Sequence, residues 1–79
     1  MRPDRATEVR HLTEADLHIL DAERRIARLA EHGDRLRADG HDAREAERLL
    51  AIMRDVLDTL RTHRSLIVDE IARIDAGGP

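Results

Sequence analysis

Cysteine is absent from this chain, and with it go disulfides, thiolate catalysis and the common structural zinc sites. Phe, Tyr and Trp are absent too, which excludes base stacking, cation–π cages and aromatic interface anchors. Serine occurs once, at Ser65. A helix points its neighbour His63 elsewhere, so the pair makes no nucleophile and base. The glycines are Gly33, Gly40, Gly77 and Gly78, a scatter that builds no phosphate-binding loop. All 14 basic residues are arginine, which reads as the composition of a GC-rich genome rather than as a site. No apolar run approaches the ~20 residues of a membrane span, and the opening MRPDRATEVR has no apolar signal core. The expectation is a cytoplasmic, non-enzymatic chain with no cofactor and no membrane span.

What is present is a short, charged, helix-forming sequence. At 79 residues there is room for one domain, and a chain of that size usually needs a partner, a metal or a disulfide to support its small core. Charged residues make up 39% of the sequence, yet the net charge is only -3 with the signs interspersed. That balance argues against nucleic acid or an anionic membrane surface as a partner.

Two apolar stripes organise the chain. In the first segment Leu12, Ile19, Ile26 and Gly33 recur every seven residues, and Ala15, Ala22, Leu29 and Leu36 follow each by three. That is one face of a helix. Arg10–Glu14, Asp21–Arg25 and Glu31–Arg35 have the i,i+4 spacing of a solvated outer face. Thr13 with Asp16 would make a capping box and Leu12 with Leu17 a hydrophobic staple, but Glu8 and Val9 continue the pattern upstream. The favoured start is therefore about Arg5, with Met1 to Asp4 a frayed lead-in. Gly40 supplies a left-handed helix end, and Asp42 with Glu45 reads as a capping box opening the next helix.

The second stripe is stronger. It runs through Ala46, Leu49, Leu50, Met53, Val56, Leu57 and Leu60 and on to Ile67, Ile71 and Ile74, with Ile52, Leu66 and Val68 at its borders. Arg54–Asp58 and Asp69–Arg73 support its outer side. The short connection makes the helices antiparallel neighbours. Leu36 then faces Ala43 or Ala46, Leu29 faces Leu50, Ile26 meets Met53, Ile19 meets Leu60 and Leu12 meets Ile67. The expected fold is all-α: one antiparallel helical hairpin over residues 1–79, with helix 1 at about 5–38, a turn at 39–41 and helix 2 at about 42–75. One partner helix cannot cover so wide a second stripe. A homodimer forming a four-helix bundle or coiled-coil assembly is expected, or else a helix from a partner protein.

Candidate chemistry is sparse. His11, His18 and His32 share a heptad position on the flank of the first stripe, and Glu8 with His11 has the Glu-x-x-His spacing of di-iron bundles. A metal-binding bundle using His11, His18 and His63 with Glu8, Glu14 or Asp16 is the alternative reading. Against it, the second helix has no matching motif. Arg64 falls near the centre of the second stripe with His63 at its edge, opposite small Ala15 and near Asp16. A buried guanidinium needs a carboxylate, so Asp16, or Glu8 of a neighbouring chain, should pair with it. The layer of Asp16, His63 and Arg64 is expected to fix register rather than perform chemistry. Thr62-His63-Arg64-Ser65-Leu66 faintly suggests a histidine phosphotransfer box. It lacks the residues that usually follow, and His63 lies on the second helix rather than the first.

The sequence also resembles a group of small uncharacterised two-helix proteins of rhizobia and related alphaproteobacteria. The resemblance is carried by His11-Leu12, His18-Ile19, Glu23-Arg24-Arg25-Ile26-Ala27-Arg28, Asp39-Gly40-His41-Asp42, Glu45-Ala46, Leu49-Leu50 and His63. It extends from about His11 to Ile71, and the Asp-Gly-His-Asp turn is its most specific part. Leu17 and Leu20 stand where that group is expected to be more polar, which implies a wider interface. The resemblance implies a cytoplasmic helical hairpin and brings no activity.

Overall fold

The structure is a computed structural model that describes residues 4–77. It is all-helical: α1 spans Arg5–Ala38 and α2 spans Arg44–Ala76, packed against each other as an antiparallel hairpin. Met1 to Pro3, most of the expected lead-in, lie outside the described residues. Asp4 is not frayed but is the N-cap of α1, with extended backbone (φ -97°, ψ 130°). Its carboxylate accepts from the Ala6 N–H and the Thr7 hydroxyl, each at 3.3 Å. The cap satisfies a first-turn donor, which is why α1 starts here and not at Thr13.

The turn closes α1 by backbone geometry. Gly40 has φ +77°, a conformation in which a Cβ would be strained. Its N–H donates to the carbonyl of Arg37 at 3.1 Å, and His41 N–H reaches back to Leu36 at 2.8 Å, the paired bonds of a Schellman motif. The expected capping box at the start of α2 is corrected. The N-cap is Ala43, one residue later than expected, and makes no side-chain bond. Asp42 still accepts from Arg44 N–H at 3.0 Å, but Glu45 turns outward to Arg48 at 3.3 Å. Asp42 is drawn instead to the Arg44 guanidinium, at 2.7 Å. That hydrogen bond, followed by the one from the Arg44 backbone, holds the Asp42 carboxyl below its ordinary pKa.

The seam follows a heptad on each helix. Ala15, Ala22 and Gly33 are buried on α1, Ala46, Leu50, Leu57 and Ile67 on α2, and Ala43 at the N-cap of α2. A Cβ placed on Gly33 would meet that of Ala46 at 3.6 Å, which fixes the pairing near the turn. Farther out Arg5 bonds Asp75 and Asp16 bonds Arg64. Eleven residues forward along α1, from 5 to 16, match eleven back along α2, from 75 to 64, as the antiparallel register requires.

The hairpin is a rod, 63 × 18 × 15 Å. Its Cα radius of gyration of 17.9 Å far exceeds the ~12 Å of a compact chain this long. Its accessible surface of 6127 Å² is about a quarter larger than the roughly 4,900 Å² expected of a compact monomer of this mass. Two helices bury one seam and leave the remainder of each cylinder in water.

Candidate interaction surface

The two flanks of the seam are chemically different, because positions on either side of a heptad core face opposite grooves. On one flank lie Asp16, Glu23 and Arg37 of α1 with Glu47 and Arg61 of α2. Here the helices are tied by Arg64 to Asp16 at 2.5 Å, Arg61 to Glu23 at 3.5 Å and Arg37 to Glu47 at 2.7 Å. Arg5 and Asp75 add a pair at the open end, at 2.7 Å. The Arg5 pKa is raised, first by its hydrogen bond to Asp75 and then by that residue's charge.

The polar layer differs from expectation in burial and membership. Among the described residues no charged side chain is buried. Arg64 is 41% exposed in its side chain and Asp16 53%, the guanidinium reaching off the seam to the carboxylate on the flank. Their bond therefore contributes roughly 0–1 kcal/mol. His63 is exposed and belongs to the other flank, in a shallow groove with Asp58, Thr59, Thr62 and Leu66.

On that other flank α1 contributes His18, Asp21 and Arg25 to a groove of about 350 Å³, which is floored by Ala22, Met53, Val56 and Leu60. Beside it α2 presents a second apolar line. Leu49 is 42% exposed, Ile52 53%, Val56 50% and Leu66 60%. Their spacing, with Thr59 and His63 between them, runs 49, 52, 56, 59, 63, 66: alternating steps of three and four, the signature of a helix-packing seam. The single wide stripe read from the sequence is thus two faces of α2, about 100° apart around its axis. Leu49 and Val56 belong to the outer one. Val68, expected at the border of that stripe, sits on the charged flank.

The other candidates are dispersed. Leu12, Ile19, Ile26 and Leu29 line the seam side of α1 half-buried, as Met53, Leu60 and Ile71 do on α2. Glu8 approaches His11 at 3.6 Å, and among the described residues no three His, Asp or Glu side chains gather as a metal-sized group. Among the outer-face pairs, Asp21–Arg25 and Glu31–Arg35 form at 2.9 and 3.7 Å. Arg10 turns instead to Thr7, and Arg73 to Glu70 rather than Asp69, because i,i+3 partners lie as close as i,i+4. No described helix is long and apolar enough to cross a membrane. Sequence reasoning missed the cross-helix pairs Glu23–Arg61 and Arg37–Glu47. Their signal was opposite charge at matching flank positions of an antiparallel register.

The chain matches no known family model, no curated protein and no solved structure.

Proposed function

We propose that this chain is a non-enzymatic helical interaction module that self-associates as a dimer of hairpins, bringing four helices together. The observation that carries this reading is the exposed line Leu49, Ile52, Val56 and Leu66 on α2. Leu49, Ile52 and Val56 form a continuous apolar strip of two turns, and Leu66 continues its line beyond Thr59 and His63; exposed strips of this kind mark association surfaces. The hairpin's excess surface supports the reading, since an ordinary specific interface buries ~800 Å² per partner. A partner protein's helix is the competing occupant of the same strip.

Sedimentation equilibrium at micromolar concentration tests the proposal. The chain is expected to sediment as a dimer. Ile52→Asp is expected to sediment as a monomer while keeping most of its helical circular dichroism, because Ile52 lies outside the intramolecular seam. A wild-type chain that stays a folded monomer to 100 μM would sink the reading.

A further inference from the structure

The apolar line on α2 is complementary to its own reverse, and we infer that two copies meet α2 against α2 in antiparallel orientation about a two-fold axis between residues 57 and 58. This rests on the self-association proposed above and specifies its topology. In this register Leu49 packs against Leu66 of the second copy, Ile52 against His63 and Val56 against Thr59, and each contact occurs twice. All four exposed apolar residues of the line are covered.

Charge selects this register among those the spacing allows. On the side of the line away from α1 lie Arg48, Asp55, Thr62 and Asp69. The register places Arg48 beside Asp69 of the second copy and Asp55 beside Thr62, so opposite charges meet twice. A slip of one heptad one way sets Asp55 against its own copy and Leu66 against Asp42. A slip the other way sets Asp55 against Asp69 and Ile52 against Glu70. A parallel pairing would stack Glu45 on Glu45, His63 on His63 and Glu70 on Glu70, and would align the helix dipoles. The favoured register does bring Glu45 near Glu70 of the second copy at each end of the line. Glu70 already has Arg73 in its own chain, and Arg48, which reaches Glu45 at 3.3 Å, lies between that carboxylate and Asp69 of the second copy and serves both.

α1 adds no apolar contact between the copies. Its surface on the corresponding side carries His11, Glu14, His18, Asp21, Arg25 and Arg28, which offers nothing apolar to a second α1. The roughly 100° between the two faces of α2 brings both α1 helices to the same side of the α2 pair, where they face each other with polar side chains, so the apolar contact between copies is made by α2 alone.

The absence of cysteine makes the test clean. A Leu49→Cys, Leu66→Cys double variant is expected to form a disulfide-linked dimer under mild oxidation, since the two positions face each other across the axis. Within one chain they are 17 residues apart on one helix, about 25 Å, too far to bridge. Each single variant should link at least tenfold less. Linking by Leu49→Cys alone would establish a parallel pair and overturn the inference. So would a double variant that sediments as a dimer without linking, although self-association would then stand. A monomeric wild-type chain would remove both. Arg48→Asp should weaken the dimer roughly three- to tenfold, and adding Asp69→Arg should restore it. Failure of the second change to restore would overturn the register.

Discussion

The two flanks of this hairpin use the same helices for different ends. The charged flank closes on itself: cations and carboxylates of α1 and α2 meet across the groove within one chain. The apolar flank does not close, since α1 offers it histidines, acids and arginines where α2 offers Leu, Ile and Val. One flank ties the two helices together by charge, and the other leaves apolar side chains of α2 exposed. Exposed ion pairs contribute little each but disfavour wrong registers through like-charge meetings, whereas an apolar strip stabilises whatever covers it and has little preference of its own. The specificity of the proposed dimer therefore comes from the charges beside the strip.

The contrast can be broken in order of expected effect. Leu57 is buried in the seam, and Leu57→Ala should remove roughly 2–5 kcal/mol, lowering helical dichroism and dimer together. Ile52→Asp on the apolar flank should separate them, losing the dimer first. Arg64→Leu replaces an ion pair at a seam position by an apolar side chain facing Ala15. It should raise thermal stability by about 1 kcal/mol and leave sedimentation unchanged, since the charges beside the apolar strip are untouched.

Gly33→Ala probes the tight end of the seam. Its methyl would meet Ala46 at 3.6 Å and Arg37 at 3.9 Å, ordinary contact distances. The gain in helix propensity should therefore appear undiminished, about 0.5–1 kcal/mol in a melt. The smallest effect is acid sensitivity at the turn. The Asp42 pKa is lowered by the Arg44 side chain and then by its backbone N–H. A depressed carboxylate stabilises the fold above its unfolded pKa, and that contribution is lost as pH falls through the folded value. Exchange of the Arg44 amide should therefore quicken, relative to neighbouring helical amides, only once the pH has fallen below the ordinary carboxylate range. An unchanged relative rate there would show that the cap is not held by the carboxylate.

Much of the fold was legible from residue order. Gly40 marks the turn because only a residue without Cβ adopts φ +77° at no penalty, and the heptads name the seam because they place one face of each helix inward. The caps were harder. Asp4 follows a proline and looked like a tail, while Asp42 and Glu45 had the right spacing for a box that the neighbouring arginines dissolve. Local alternatives of similar energy compete at such positions, and spacing does not rank them.

The sequence by itself determined that this chain is a two-helix hairpin with more apolar surface than one seam can use. Composition and periodicity act along the chain and need no knowledge of neighbours. Only the tertiary structure decided how that surplus is divided. Docking α1 on one face of α2 spent Leu50, Leu57 and Ile67 on the seam, let Arg64 escape to a half-wet flank, and left Leu49, Ile52, Val56 and Leu66 outside. The direction in which α1 approaches fixes that partition, because each residue of α2 lies at one angle around its axis and a single neighbour covers only part of the circle.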